Sequence, residues 1–418
     1  MDLIYAEATP PGRGGISIIR LSGDGARRLA ERLGGALPEA RRMYLRTLAE
    51  EGEALDQAVL VRFDPGASFT GEESVELHLH GAPVVVRRVA RALERGGARL
   101  ADAGEFSRRA LLNGRLDLVE VEGLGDLLAA ETDSQRQLAM RTASGEFARR
   151  AAGWREKLVR AGALIEASID FADEDVPDEI PTEVFALTDQ LVAEFQRELS
   201  GFVAAERVRM GFEVAIIGPP NAGKSTLMNR LADRTVAIVS EVAGTTRDVI
   251  ELRYDLNGLA VTFLDTAGIR DAADRVEEIG IALAKERAQL ADLRIHLSPD
   301  GRRVADLWQT GDLVVRSKAD IGGQGGISAV TGEGLDALLH ELSELLKQRV
   351  SQAGVISHER QRGEIEAAAL ALSNLASLPA ELAAEQIRSA ATSLDRLLGR
   401  ISSEDYLDVI FKQFCIGK

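Results

Sequence analysis

One stretch of this chain constrains its fold more than any other. Residues 218–225 read Gly-Pro-Pro-Asn-Ala-Gly-Lys-Ser, which matches the pattern G-x-x-x-x-G-K-[ST]. An apolar, β-like run at 213–217 precedes the pattern, and a helical stretch at 226–231 follows it. The glycines let backbone amides surround phosphate groups, and the lysine adds a cation. The stretch therefore predicts a strand, a phosphate-binding loop and a helix of a doubly wound α/β unit.

Two switch-like elements follow in the order expected behind such a loop. Residues 261–268 form a β-like run that ends in D-x-x-G. Asp265 is expected to hold Mg²⁺ through water, and the Gly268 amide to sense the γ-phosphate. Between the phosphate-binding loop and this run, residues 244–248 read Gly-Thr-Thr-Arg-Asp. A threonine there can add a Mg²⁺ ligand when the γ-phosphate is present. The order and spacing predict a nucleoside triphosphatase.

The base is expected to be read by residues 317–320, Ser-Lys-Ala-Asp. Asp320 can accept hydrogen bonds from guanine N1–H and the exocyclic amine, which predicts GTP over ATP. Ser317 stands where N-K-x-D elements carry Asn, so we expect weaker guanine binding by about one hydrogen bond, or ~0.5–1.5 kcal/mol. Residues 327–329, Ile-Ser-Ala, are expected to approach guanine O6 through their backbone.

The attacking water needs an orienting group. Ile269 follows D-x-x-G where Ras-like GTPases carry Gln, and an aliphatic side chain cannot orient water. The nearest polar candidates are Glu277 and Glu278. Spacing alone leaves open that these carboxylates are only a solvated helix face.

The predicted nucleotide site draws on all of these elements. The residues predicted to act in catalysis are Glu277, Lys224, Thr246 and Asp265. The residues predicted to bind GTP are Asn221, Ala222, Gly223, Lys224, Ser225, Thr226, Ser240, Glu241, Val242, Ala243, Gly244, Thr245, Thr246, Asp265, Thr266, Ala267, Gly268, Ser317, Lys318, Ala319, Asp320, Ser328 and Ala329.

The remaining chain divides by pattern. Residues 1–115 mix short β-like runs, helical stretches and glycine-rich turns, which predicts an α/β domain. Residues 116–210 and 346–418 show helical periodicity. We therefore predict an α/β G domain at 211–345, inserted between two halves of one all-α domain.

Composition narrows the class of protein. No apolar run is long enough to span a membrane and no signal-peptide pattern is present, so we predict a cytoplasmic protein without a membrane partner. The net charge of −16 argues against broad nucleic-acid binding. The first 115 residues nevertheless carry 17 Arg against 16 acidic residues, which favours this third for a phosphate-rich partner. A solvated surface of locally paired arginines remains the alternative.

Four further blocks are distinctive. They are ATPPGRGG at 8–15 with Arg20, FTGE at 69–72 leading to Glu76, GEFS at 104–107 leading to NGRLDL at 113–118, and FCIGK at 414–418. With the nucleotide motifs, they make the chain resemble the MnmE (TrmE) tRNA-modification GTPases over essentially its full length. Era-like and Der-like GTPases share the nucleotide motifs but not these blocks.

The resemblance implies an N-terminal domain that binds (6S)-5-formyltetrahydrofolate, or a related one-carbon tetrahydrofolate, and mediates homodimerisation. By motif position, the folate site would comprise Arg20, Glu76, Arg115 and Lys418. The resemblance also implies a heterotetramer with the partner MnmG (GidA), which alone carries FAD. Together they would install a carboxymethylaminomethyl or aminomethyl group at C5 of the wobble uridine, U34, of certain tRNAs.

For the G domain, the resemblance implies two metal sites. Ser225 and Thr246 would ligate Mg²⁺, whereas Asn221, Ser240, Val242 and Thr245 would ligate K⁺. Glu277 falls on the family's water-positioning glutamate. A monovalent cation beside the β- and γ-phosphates could neutralise developing charge where no arginine finger is evident.

Two other functions stay open at this stage. One is a GTP-dependent binding switch in RNA or ribosome maturation, and the other is a pseudo-GTPase scaffold weakened by Ser317. The folate-type block and the terminal Cys-Ile-Gly-Lys disfavour the first, and turnover would exclude the second. The segment 293–310 is short and unusually polar for a core strand and helix, so we expect the G domain to be trimmed there.

Overall fold

The computed structural model describes residues 2–170, 180–234, 237, 251–265, 284–322, 325–400, 410–411, 414 and 417. The chain forms two compact units. The first contains Met1–Gly125, Ala148–Val159 and Ile387–Lys418, and the second contains Asp126–Phe147 and Arg160–Gln386. Within the described residues, no helix has both the length and the apolar character that a membrane crossing needs.

The first unit is built on a six-stranded sheet. Its strands are β1 (Ile4–Glu7), β2 (Ile16–Ser22), β3 (Met43–Glu50), β4 (Glu53–Phe63), β5 (Ser74–His80) and β6 (Arg99–Leu100). They lie in the order β3-β4-β5-β2-β1-β6, and every pair is antiparallel except β1 with β6. The short β-like runs noted in residues 1–115, at 16–21, 58–63 and 75–80, are strands in the structure.

Helices α1 (Ala26–Gly34) and α2 (Pro83–Arg95) cover one face of this sheet. Helix α3 (Glu105–Leu112) follows β6, and its Phe106 packs with Ile4 and Ala6 of β1 on the other, more open face. Leu29 and Leu93 share a core with Ile19 of β2 and Leu77 of β5. Because successive side chains of a strand point to opposite faces, Arg20 and Glu76 lie on the other face.

The second unit contains a five-stranded sheet. Its elements are β7 (Phe212–Ile217), α9 (Lys224–Ala232), β8 (Glu251–Leu256), β9 (Leu259–Asp265), α10 (described over 284–290), β10 (Leu293–Ser298), β11 (Leu313–Arg316), α11 (Ala319–Gly322) and α12 (Leu335–Val350). The strand order is β11-β10-β7-β9-β8, and all pairs are parallel except β8 with β9. One core joins the sheet to α9 and α12, and another joins it to α10. This confirms the doubly wound α/β unit.

Helices make up most of the remaining described chain. They are α4 (Leu118–Ala129), α5 (Asp133–Ala143), α6 (Glu146–Asp170), α7 (Thr182–Ser200), α8 (Phe202–Met210), α13 (Glu359–Leu372) and α14 (Ala380–Leu397). In the second unit α13 packs along α7. A helix that follows the five-stranded sheet in sequence thus joins one that precedes it, as expected for an inserted domain. The stretch 173–181 is acidic and contains proline, which predicts a loop, and it lies largely outside the described residues.

The polar segment after α10 is explained by a buried network. Residues 299–312 contain no α-helix, only a 3₁₀ turn at Ala305–Leu307, in agreement with a trimmed segment. Arg294 donates from Nε to both carboxylate oxygens of Asp312, each at 2.9 Å. The Val304 amide donates to His296 Nδ1 at 3.0 Å, so the ring proton is on Nε2, 3.2 Å from Asp312 Oδ2. The polar side chains of Arg294 and His296 in β10 therefore find their hydrogen-bond partners in the segment that follows, at Val304 and Asp312.

Candidate nucleotide-binding and N-terminal sites

The glycine-rich loop has the backbone geometry that the sequence predicted. An added Cβ at Gly218 would collide with the Leu297 carbonyl oxygen of β10, so only glycine fits there. Asn221 and Gly223 adopt left-handed conformations, with φ of 59° and 97°. Gly223 is the N-cap of α9. Because the first amides of a helix lack intrahelical partners, the loop and α9 together form an anion-binding backbone.

Three predicted catalytic or metal-binding side chains meet at this loop. Lys224 donates from Nζ to the carbonyl oxygens of Gly218 at 2.9 Å and Pro219 at 3.1 Å. Ser225 Oγ donates to Asp265 Oδ2 at 3.1 Å. Asp265 is buried at the carboxyl end of β9. Hydroxyl and carboxylate oxygens are ligands that Mg²⁺ prefers, so this pair fits a magnesium site.

The two predicted base-reading segments are held together by backbone hydrogen bonds. The Ala319 amide donates to the Ile327 carbonyl at 3.1 Å, and the Ser317 amide to that of Ser298 at 2.9 Å. Ser328 is fully buried, and its Oγ accepts from the Thr331 amide at 3.1 Å. Since β7, β10 and β11 are parallel neighbours, the loops after them lie along one edge of the sheet, where α/β proteins bind ligands.

Ser317 is where the nucleotide site departs from its motif. Its side chain is buried, yet Oγ has no hydrogen-bond partner among the described residues. Asp320 is exposed in the first turn of α11. A buried hydroxyl without a partner is unfavourable, and it is the geometry expected when a shorter side chain replaces Asn.

Many predicted site residues lie outside the described residues. They are Ser240, Glu241, Val242, Ala243, Gly244, Thr245, Thr246, Thr266, Ala267, Gly268, Glu277 and Lys418. Of the predicted K⁺ ligands, only Asn221 is described, and its side chain is exposed. These assignments stay predictions.

A second cluster forms on the open face of the six-stranded sheet. Arg20 and Glu76 are partners in the β2–β5 register, and Arg20 donates to Glu76 Oε1 from Nε at 3.1 Å and Nη2 at 2.9 Å. The Arg20 guanidinium lies 5.5 Å from the Phe69 ring centre and 5.9 Å from that of Phe106. Arg115 packs against Gly71, because a Cβ added at Gly71 would lie only 3.0 Å from Cγ of Arg115. The three sequence blocks that carry these residues therefore meet.

A residue that the sequence analysis missed organises this cluster. The guanidinium of Arg109 is almost fully buried. It donates to Glu72 at 3.0 Å, Glu105 at 2.8 Å and Asp2 at 2.7 Å. Arg109 lies one helical turn after Glu105 on α3, and this spacing could have identified the pair.

The terminal block also reaches the first block. Gly417 has a φ of 106°, and an added Cβ would collide with the Glu7 carbonyl oxygen beside Ala8. Gly104 makes a similarly close approach to Phe411. Both contacts lie within the first unit. They bring the chain's last described residue to the start of the ATPPGRGG block.

A glycine-rich loop between a parallel strand and a helix, with Lys224, Ser225 and Asp265 gathered around it, defines a P-loop nucleotide-binding protein. Residues 118–415 match the model of the MnmE helical domain, and residues 3–115 match that of the GTP-binding protein TrmE N-terminus. The chain belongs to the MnmE/TrmE family.

Curated relatives match along the whole chain. The tRNA modification GTPase MnmE of Paracoccus denitrificans is 54% identical over 100% of both chains, and that of Cereibacter sphaeroides is 51% identical over 100% of both. Among solved structures, Aquifex aeolicus Era bound to GDP·AlF₄⁻ is 28% identical, covering 32% of this chain and 56% of that chain with a TM-score of 0.26. The fold assignment rests on the strand order rather than on that structural likeness.

Proposed function

We propose that this chain hydrolyses GTP and, with an FAD-dependent partner, adds a carboxymethylaminomethyl or aminomethyl group to C5 of the wobble uridine of certain tRNAs. One observation carries the proposal. The P-loop side chains Lys224 and Ser225 and the Asp265 carboxylate at the end of β9 are assembled in a chain that belongs to the MnmE/TrmE family over its full length.

The chemistry follows from the loop. Lys224 would exchange its loop carbonyl partners for β- and γ-phosphate oxygens, and the amides at the start of α9 would bind the same phosphates. Ser225 and Asp265, with Thr246, would hold Mg²⁺, which neutralises charge that develops on the leaving phosphate oxygens. Asp320 would select guanine, and Glu277 would orient the attacking water.

The K⁺ site is the finer part of the proposal. Asn221, Ser240, Val242 and Thr245 would place a monovalent cation beside the β- and γ-phosphates. Support comes from the exposed Asn221 side chain on a left-handed residue of the loop. A fixed cation there stabilises transition-state charge without an arginine.

GTP hydrolysis by the purified chain tests both levels. We expect fast turnover in K⁺, slower turnover in Na⁺, and a loss of about 10²–10³ in kcat for Lys224→Ala, as for other lost transition-state donors. Glu277→Ala should lose activity while Glu278→Ala retains it. Equal rates in the two salts would reject the K⁺ site. Binding of GTP without turnover in either salt would favour a scaffold.

The N-terminal domain, 1–115, would bind formyltetrahydrofolate and mediate homodimerisation, flanked by the helical domain at 116–210 and 346–418 and the G domain at 211–345. The pairing of Arg20 with Glu76 beside the Phe69 ring supports a folate site, because a pterin offers amide groups and a flat ring. Arg115 and Lys418 would complete it. Calorimetric titration of 5-formyltetrahydrofolate into the parent, Glu76→Gln and an Arg42→Gln control checks this, since only Glu76→Gln should weaken binding.

The cellular role is tested by nucleoside analysis. A cytoplasmic complex with the MnmG (GidA) partner is proposed to act on tRNA, so a deletion strain should lack the C5 modification at U34. The parent gene should restore the modification, and Lys224→Ala should not. A deletion strain with intact modification would leave a role in ribosome maturation as the alternative.

A further inference from the structure

We propose that the outer face of α1 and α2 binds the phosphate backbone of the tRNA substrate. We call this surface the arginine face and define it by Arg28 and Arg32 on α1 and by Arg87 and Arg91 on α2. The inference rests on the proposed function, which makes a tRNA the substrate of the complex.

The charge of these two helices is opposite to that of the whole chain. The spans of α1 and α2 contain seven Arg, no Lys and two Glu, and hence carry a charge of +5 in a chain of net charge −16. A local field of this sign attracts polyanions, whereas the remaining surface repels them. The positive excess is therefore a property of these two helices and not of the protein's general composition.

Local acidic residues do not neutralise the face. Arg88 and Arg95 pair with Glu53 and Glu50 of the β3–β4 hairpin. Arg27 pairs with Glu31. The carboxylate of Glu94 accepts a hydrogen bond from Tyr5 at 2.7 Å.

The four defining arginines lie outside these pairs. All four are exposed. Across the described chain, no carboxylate lies within ion-pair distance of Arg28, Arg32, Arg87 or Arg91. In each helix the two are four residues apart, so they share one side and repel each other slightly. A bound polyanion would remove that repulsion.

A cleft beside Arg28 and Arg32 gives the backbone room to approach. It has a volume of about 500 Å³ and lies where α1 begins and α2 ends. Gly25, Gly96 and Gly97 form part of its wall without side chains. Asp2 and Asp24 also line the cleft, and Asp2 is bound by Arg99 and Arg109.

Residue type and position also fit a phosphate ligand. A guanidinium binds phosphate with two parallel hydrogen bonds, which a lysine cannot do. The arginine face lies on the helix-covered side of the six-stranded sheet, and Arg20 and Glu76 lie on the opposite side. RNA bound there would leave the proposed folate site accessible.

Fluorescence anisotropy with a labelled tRNA transcript that carries uridine at the wobble position tests the inference. The full chain, alone and with its FAD-dependent partner, would be titrated between 50 and 200 mM KCl. Three variants are compared: Arg28→Gln/Arg32→Gln, Arg87→Gln/Arg91→Gln, and the control Arg136→Gln/Arg160→Gln. The control removes the same charge from exposed arginines of α5 and α6.

Each arginine-face pair should weaken binding about tenfold and lower the slope of log K against log salt by about two, while the control changes neither. GTP hydrolysis should stay at the parent rate in all variants.

Equal weakening in the control, or parent-like binding by both arginine-face variants, would overturn the inference. If the variants bound tRNA normally but no longer bound the FAD-dependent partner, the arginine face would be a binding site for an acidic protein surface and not for tRNA. If the parent chain did not bind tRNA and a deletion strain kept its U34 modification, the proposed function and this inference would both be overturned.

Discussion

The two sheets of this chain use charged side chains in opposite ways. In the five-stranded sheet, helices cover both faces, and the side chains of Arg294 and Asp312 are only 3% and 1% exposed. In the six-stranded sheet, one face is only partly covered, and the side chains of Arg20 and Glu76 on that face are 23% and 19% exposed. A charge in a dry interior depends on its partner far more than one that water can reach. The same chemistry is therefore structural in one sheet and accessible to a ligand in the other.

The largest effect should come from removing the buried partner. Asp312→Asn would leave Arg294 charged without a carboxylate, and we expect a loss of about 3–5 kcal/mol in the free energy of unfolding. The measurement is thermal or urea unfolding of the transition that GDP and Mg²⁺ shift, since ligand binding stabilises only the domain that holds the site.

The matched control is Asp300→Asn. Asp300 pairs with Arg302 in the same segment, but their side chains are 54% and 86% exposed. Because water reaches both side chains, this variant should leave the stability nearly unchanged. If both variants had the same small effect, the contrast between an enclosing and an open sheet would be wrong.

The sequence predicted what depends on local order along the chain. The P-loop, the strand ending at Asp265 and the doubly wound unit follow from spacing and periodicity, and the structure contains them. The role of Arg109 was not predicted, because its partners Asp2 and Glu72 are distant in sequence. Such contacts arise only when the sheet brings separate segments together.

The network around His296 shows a second limit. The unusual polarity of β10 is visible in the sequence, but no sequence pattern indicates that Asp312 bonds to both Arg294 and His296. A buried polar group is read correctly only when its partner is known. For the same reason, the orphan hydroxyl of Ser317 became evident only in the structure.

A second prediction concerns a buried hydrogen bond of the six-stranded sheet, where a substitution should cost more stability than one on the open face. Ser22 is fully buried at the end of β2, and its Oγ donates to Glu72 Oε2 at 2.7 Å and lies 2.7 Å from Thr70 Oγ1. Ser22→Ala would leave both partners short of a hydrogen bond, so we expect a loss of about 1–3 kcal/mol in unfolding free energy. Ser200→Ala, at an exposed helix end, should be nearly neutral, and equal losses would contradict the argument.

The two units should also differ in pH dependence. Burial lowers the pKa of His296, although the bond to Asp312 opposes the shift. The unfolded chain then takes up the proton first, so stability is present above pH ~6.5 and lost as pH falls below it. Burial raises the pKa of Asp117 to about 6, with the charge of Glu120 adding to the effect. Its contribution is present below pH ~4 and lost as pH rises through 6.

Parent and variant unfolding curves between pH 4 and 7.5 check these opposite signs. In His296→Gln, the transition that GDP shifts should no longer lose stability as the pH falls. In Asp117→Asn, the other transition should no longer lose stability as the pH rises. Each group binds at most one proton, so it changes the slope of unfolding free energy against pH by at most about 1.4 kcal/mol per pH unit. Slopes of the same sign would refute the assignment.

A smaller effect is expected at Ser317. Replacing it with Asn supplies the side chain that the base-reading motif normally has, and we expect GTP to bind more tightly by ~0.5–1.5 kcal/mol, or about two- to tenfold. Ser317→Ala should leave affinity unchanged, because Ser317 Oγ has no partner among the described residues. Titration with a fluorescent GTP analogue measures both. A loss of affinity in Ser317→Ala would mean that the hydroxyl contacts the nucleotide.

The smallest change in stability is expected on the open face. Glu76→Gln keeps the shape of the side chain and a hydrogen-bond acceptor for Arg20, and water reaches both groups, so unfolding free energy should fall by less than ~1 kcal/mol. Glu53→Gln, which alters a more exposed pair with Arg88, is the control for loss of an ion pair alone. Stability measured beside folate affinity separates the two roles of Glu76. A large loss of folate affinity at nearly parental stability identifies a ligand-binding carboxylate, whereas a loss of several kcal/mol with unchanged affinity would make the pair structural, like Arg294 and Asp312.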